Sequence, residues 1–328
     1  MEQIQTYRMF YKKRPDGGVC LFRLYGIFPQ VHLPSKIAGH PLVEIAPYCF
    51  AKKKSLPSDA DGTEVIIGEK KDIPYLRELC FTEVEEVYLP DSVQKIGSYS
   101  FYNCKNMRTL QIGSALREIG SDAFMNTLSF HSLILRCGAG ESSGIRPIVS
   151  QISSDLNVQF VRGGQTEAAL FYPEYYESYD EIAPAHLFGR QIQGEGFRAR
   201  QCIKDGRVDF LGYDSVFLQA CVEESEKTLG QMALNRLKYP YALRESDKEM
   251  YQTYVKEHIS GIAFRFVQQK SLDMLRFLIA EHLMDRAALL ECSKTAAEYG
   301  WPEGSAYFLQ CLAKEHHTKE NRYNFDME

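Results

Sequence analysis

Apolar and polar positions repeat along the N-terminal half with a fixed spacing. With Val84–Asn106 written above Met107–Ser129, no gap is needed: Val84 falls on Met107, Val87 on Leu110 and Leu89 on Ile112. Val93 falls on Leu116, Ile96 on Ile119, Gly97 on Gly120, Ser98 on Ser121, Phe101 on Phe124 and Asn103 on Asn126. A further step of 23 reaches Phe130, Leu133 and Leu135. Two chance-similar hairpins would not hold these positions in one register, and a period of this length marks stacked structural repeats.

The spacing within one unit predicts its shape. Val87 and Leu89 are two apart, so both point to one face of a short strand, and Tyr88 points to the other. Val93 and Ile96 form a second inward pair. Gly97 ends that stretch where a turn favours a residue without Cβ. Phe101 fills the interior, and Asn103 has the short polar side chain that caps returning turns. One coil cannot bury these groups alone, but stacked coils share a continuous core. The alternation leaves Glu86 and Tyr88, Thr109 and Gln111, and Ser132, Ile134 and Arg136 in one outward row. These seven are the candidate partner-binding residues.

A looser turn precedes the two. Val31 and Leu33 before Pro34 stand as Tyr88 and Leu89 do before Pro90, and Ile45 precedes Phe50 as Ile96 precedes Phe101, with Ser35–Pro41 as an extra loop. An irregular turn is expected over Ser55–Thr82, with Val65–Ile67 as its strand and Ile73–Leu79 as a short helix. Val87-Tyr88-Leu89-Pro90-Asp91-Ser92-Val93-Gln94-Lys95-Ile96-Gly97, Ala123-Phe124, the Leu33–Ile45 phrase and Cys104-x-x-Met107-x-x-Leu110-x-Ile112 resemble the BspA-like leucine-rich repeat over about residues 20–160. Ser100 stands where the family has the first Ala of Ala-Phe, and Ile112-Gly113 where it has Leu-Pro. The resemblance implies a repeat solenoid used for protein–protein or host-surface recognition.

Beyond Leu135 the pattern changes. Ile145–Ile152 predicts a short helix, and Leu156, Val158 and Phe160 alternate as a closing strand. Arg162-Gly163-Gly164-Gln165 reads as a hinge. From Tyr213 helical spacing dominates. Leu229, Met232, Ala233 and Leu237 share a face ended by Pro240, and Met250, Tyr254 and Val255 mark another helix. Ser271 caps Leu272–Glu281, Asp285 caps Arg286–Tyr299 before Gly300, and Pro302 opens a helix to about Lys314. Residues 273–278 align with 304–309 at a spacing of 31. That weakly resembles ankyrin-like helix pairs, and a plain helical bundle fits equally well. The expected fold class is α+β: a short BspA-type leucine-rich-repeat β-solenoid over 1–164, an aromatic and acidic connecting segment over 165–212, and an all-α domain over 213–328.

Composition narrows the function. The net charge of −5 offers no field for a polyanion, so no nucleic-acid partner is expected. No apolar run is long enough to span a membrane, and Met1–Arg8 lacks the apolar run of a leader. Nine scattered cysteines without a C-x-x-C pair, and no Asn-x-Ser/Thr, point to a cytoplasmic chain with reduced thiols. The clusters Lys12–Arg14 and Lys52–Lys54 read as solvated loops.

Gly140-Glu141-Ser142-Ser143-Gly144 matches the G-x-S-x-G elbow, but repeat coils precede it where an α/β sheet would be required. Gly194–Arg200 has two glycines of a phosphate loop and no following Lys-Ser/Thr. The histidines lack metal spacing, with His131 and His282 as packing or surface residues and His316–His317 as an adventitious pair at most. Phe171–Glu181, dense in tyrosine and acid, suits an internal joint or a partner site. No catalytic residue, cofactor or metal is expected. The principal expectation is a non-catalytic module with a protein partner. The alternatives are a secreted or surface adhesin, or a hydrolase at Ser142 or in the Glu174–Arg200 region of the domain junction.

Overall fold

The spacing of 23 residues becomes parallel strand pairing, with Val87 beside Leu110 and Leu110 beside Leu133. The structure is a computed structural model that describes residues 5–52, 63–182 and 187–323, with side chains described except at 182, 187, 188 and 315–323. It forms two units, Met1–Glu223 and Glu224–Glu328.

In the first unit, β1 (Tyr7–Lys13) and β2 (Val19–Gly26) form an antiparallel hairpin. The first coil carries β3 (Gln30–His32), β4 (Lys36–Ile37) and β5 (His40–Ile45). Next come β6 (Thr63–Ile67) and β7 (Arg77–Glu78). The two aligned units are β8 (Glu86–Tyr88) with β9 (Lys95–Ile96), and β10 (Thr109–Gly113) with β11 (Glu118–Ile119). β12 (Ser132–Arg136), α1 (Ile145–Val149) and β13 (Leu156–Arg162) continue the stack. Two sheets result, ordered β14-β13-β12-β10-β8-β3, where β14 is Gln165–Tyr172, and β11-β9-β5-β2-β1-β6.

The interior is a set of ladders. Val31, Val87, Leu110, Leu133 and Val158 lie side by side and are fully buried. Phe50, Phe101, Phe124 and Phe130 stack in sequence at 5.1, 5.4 and 5.5 Å. Each such burial stabilises the fold by about 2 kcal/mol. Gly97 and Gly120 serve the stack rather than a left-handed turn: a Cβ at Gly97 would strike Pro47 of the preceding coil, and one at Gly120 would strike Ser98. The left-handed corner positions are Tyr48, Tyr99 and Asp122, then Asn103 and Asn126. Asn126 Nδ2 donates to Asn103 Oδ1 at 3.0 Å, so the asparagines bond to each other across coils.

Both ends of the six-stranded sheet are closed by tyrosine hydroxyls. At β3, Tyr7 accepts from the His32 N–H at 2.9 Å. At β14, Tyr213 accepts from the Phe171 N–H at 3.1 Å and donates to the Phe171 carbonyl at 2.5 Å. Unpaired strand edges invite other chains, and these bonds occupy them.

Four sequence expectations change. Val65–Ile67 is not a solenoid strand, because β6 pairs antiparallel with β1. Ile73–Leu79 is the end of a 3-10 turn at Lys70–Tyr75 followed by β7. The rest of the Ser55–Thr82 expectation includes 55–62, which lie outside the described residues, as do Lys53 and Lys54. Arg162–Gln165 is not a hinge: Arg162 pairs with Gln165, and Gly163 and Gly164 at φ +58° and +82° make a tight hairpin turn. Strand β13 therefore does not close the sheet, since β14 adds to it. The region 165–212 continues with β15 (Tyr176–Ile182), β16 (Leu187–Gln193), α2 (Gly196–Gln201), β17 (Ile203–Lys204) and β18 (Arg207–Val208), and then α3 (Phe210–Glu223). Helix α3 belongs to the first unit, with Phe210 against Phe160 and Tyr213 edge-on to Tyr172 at 5.8 Å.

The second unit is helical: α4 (Glu226–Lys238), α5 (Glu245–Glu257), α6 (Ile259–Gln268), α7 (Leu272–Ala280), α8 (Arg286–Glu298) and α9 (Pro302–Tyr323). Leu229, Met232, Ala233 and Leu237 are buried on α4, and Tyr251 and Val255 on α5. Asp285 caps α8 by accepting from the Ala288 N–H at 2.8 Å, and Gly300 follows it at φ +61°. Ser271 precedes α7 without a side-chain cap bond. Helices α6 and α8 touch at a spacing of 31: Ser260 donates to Glu291 at 3.2 Å, and Gln268 to the Tyr299 hydroxyl at 2.8 Å. No helix among the described residues is long and apolar enough to cross a membrane.

Candidate recognition face

Alternation in five parallel strands builds the face. Gln30, Glu86, Thr109, Ser132 and Asn157 form one row across β3, β8, β10, β12 and β13. His32, Tyr88, Gln111, Ile134 and Gln159 form the next, and Gly113 and Arg136 begin a third. The intervening residues are buried, whereas the seven candidates Glu86, Tyr88, Thr109, Gln111, Ser132, Ile134 and Arg136 are all half-buried. The structure brings all seven onto one sheet face.

Side chains on the face hold one another in place. The His32 and Tyr88 rings stack at 4.1 Å, inclined by 4°. Tyr88 donates to Glu86 at 2.5 Å. Burial, and secondly this bond to a carboxylate, push the Tyr88 hydroxyl up to about 12. Sequence reasoning left out Gln30 and His32, although Gln30-Val31-His32 alternates as Glu86-Val87-Tyr88 does. It also left out Asp91, which lies outside the strand alternation, and Gly113, which stands one period before Arg136 but has no side chain.

Arg136 crosses from β12 over Gly113. Its Nη2 donates to the Leu89 carbonyl at 2.8 Å and lies 3.0 Å from Asp91 Oδ1. A Cβ at Gly113 would collide with the Cα and Oδ1 of Asp91, so the glycine makes room for the aspartate that Arg136 meets. A groove of about 970 Å³ lies on one side, lined by Tyr7, His32, Pro34, Tyr88, Gln111 and Arg136 among others. A second, of about 560 Å³, is lined by Asp91, Gln111, Arg136, Glu141 and Arg162 and the Gly163-Gly164 turn.

The other motifs serve the fold. Ser142 donates to the Asp205 carbonyl at 2.9 Å, tying the end loop to the β17–β18 turn. Arg200 of the glycine segment is buried, and its guanidinium donates to the carbonyls of Val149, Ile152, Ser154, Pro173 and Gly196. Burial lowers its pKa to about 10, so it remains a cation at neutral pH, committed to backbone oxygens rather than to a phosphate. In the tyrosine-rich segment Tyr172 is buried, Tyr175 stacks with the Arg200 cation at 5.0 Å, and Tyr176 and Tyr179 are exposed. His131 bonds to the Ser129 carbonyl, and His282 lies exposed in a left-handed turn. His316–His317 lie outside the described side chains. Among the described residues, no group of three His, Cys, Asp or Glu could hold a metal ion.

The family described as "BspA type Leucine rich repeat region (6 copies)" matches residues 75–141. A leucine rich cell surface protein from Faecalibacterium prausnitzii A2-165 is similar over 41% of this chain and 28% of its own, at 19% identity and a TM-score of 0.27. The T. pallidum Leucine Rich Repeat protein is similar over 40% of this chain and 72% of its own, at 23% identity and a TM-score of 0.23. This chain thus spans less than a third of the length of the first. The comparison with curated proteins finds no match. Residues 75–141 are a BspA-type leucine-rich repeat region, set within a β-solenoid that a helical C-terminal region follows.

Proposed function

We propose that this chain is a non-catalytic recognition protein whose protein partner binds the face carrying Glu86, Tyr88, Thr109, Gln111, Ser132, Ile134 and Arg136. The observation that carries this reading is the in-register grid of half-buried side chains, held on a stack whose alternate residues are wholly buried. A rigid sheet loses little entropy on binding, and half-buried tyrosine and arginine are the residue types that dominate interface energies. The engaged hydroxyl of Ser142 and the fully committed guanidinium of Arg200 support a binding role over a hydrolytic one.

The test is the Tyr88→Ala/Gln111→Ala variant of the full chain. Partners recovered with the unaltered protein are to be bound at least tenfold more weakly by the variant, as loss of a central aromatic contact implies. Unchanged binding of every partner would remove the face from the account.

A further inference from the structure

The departure of the second aligned unit from Leu-Pro to Ile112-Gly113 has a structural consequence. Gly113 pairs with Arg136 and lies against Asp91, and the Arg136–Asp91 ion pair spans the position that lacks a side chain. Both grooves are lined by Asp91, Gln111 and Arg136, so this pair is the ridge between them.

Arg136 is under-used. Nη2 alone makes its two protein contacts, and Nε is buried without an acceptor. An unmet buried donor on a cation is costly and marks a place where a further acceptor belongs. Asp91 is a weak occupant. Its side chain is 69% exposed, and exposed ion pairs hold loosely. The Leu89 carbonyl keeps the guanidinium oriented when Asp91 leaves.

We propose that Arg136 is a carboxylate-binding residue for an extended polypeptide. An aspartate or glutamate of the partner displaces Asp91, takes the Nε and Nη2 pair of donors, and joins the two grooves into one trough along the strand ends. Planar, paired donors match a carboxylate, which gives the charge complementarity on which the choice of ligand rests. Asp91 then acts as an internal competitor. The inference rests on the recognition face and names the partner chemistry at its third row.

The probes are pools of short peptides, randomised except for a central position fixed as Asp, Glu, Asn or Gln, presented to the full chain. The Asp and Glu pools are to be retained about tenfold better than the Asn and Gln pools. Arg136→Gln is to abolish that difference, and Asp91→Asn is to strengthen retention of the Asp and Glu pools severalfold. A merely structural ion pair gives the opposite sign for Asp91→Asn, since both variants would weaken retention. Equal retention of all pools, retention of none, weakened retention by Asp91→Asn, or preference for inorganic phosphate or single-stranded RNA over the acidic pools would each overturn the assignment. Failure here leaves the face itself to the Tyr88→Ala/Gln111→Ala measurement, which uses a different row and does not depend on Arg136.

Discussion

The two units are packed by different physics. In the solenoid, equivalent positions touch each other: Phe101 stacks on Phe124, Asn126 bonds Asn103, and Ser121 donates to Ser98. In the helical unit, unlike residues meet, as Ser260 meets Glu291 and Gln268 meets Tyr299. Strands in a ladder lie about 4.8 Å apart, whereas helices pack about 8–10 Å apart through side chains of variable length. The short spacing allows few residue types at each contact, and the long one allows many. The solenoid repeat is therefore strict, and the helical packing is under no such constraint.

The largest expected effect is on the aromatic ladder. Phe101→Ala removes a ring held between two others and should cost about 4 kcal/mol of stability. Urea unfolding followed by near-ultraviolet signal measures it. A loss under about 1 kcal/mol would mean that the coils do not share one tightly packed interior. Next, Gly120→Ala forces a methyl into the backbone of the preceding coil and should cost about 3 kcal/mol. Gly300→Ala in the helical unit meets no atom within 4 Å and should cost only about 1 kcal/mol, for its left-handed φ of +61°. Equal costs would erase the distinction between the two kinds of packing.

Alkali should sharpen the contrast. Burial raises Tyr7, Cys20 and Cys104 of the solenoid unit to about 12. In the unfolded chain the thiols ionise near 8.5 and the phenol near 10, so the unfolded state releases protons first. The stability these groups contribute is complete below about pH 8.5 and falls as pH rises toward 12. Cys292 and Tyr307 place the same dependence in the helical unit, on fewer groups than in the solenoid unit, where Cys49, Tyr88, Cys137 and Cys202 are raised as well. Stability measured between pH 8 and pH 11 should fall more steeply in the solenoid signal than in the helical one. The smallest effect is that of Asp285→Ala, which removes the α8 cap and should cost about 1 kcal/mol, read from helical circular dichroism.

The same contrast explains what the sequence revealed. The parallel register of Val87, Leu110 and Leu133 was legible because each residue had to match its neighbour, and the outward row followed from it. The role of Gly97 was legible only as a turn, because the clash it avoids lies in another coil. Gly163-Gly164 looked like a hinge, because the glycines of a tight turn and of a linker are the same letters. Strand β6 carried a strand pattern, but nothing in Val65–Ile67 told antiparallel pairing with β1 from a place in the stack. His32 shared the alternation of Tyr88, but its stacking on Tyr88, like Asp91 and the Arg136 crossing, depends on contacts between residues far apart in the chain.

The recognition face is tested most directly by placing a photo-crosslinking residue in the full chain at Gln111, on the proposed face, or at Glu118, exposed on the other sheet. Illumination in extract of the native cell should give a discrete crosslinked product from position 111 that Tyr88→Ala removes, and none from position 118. The same product from both positions, or a product from 111 that Tyr88→Ala leaves intact, would contradict the account.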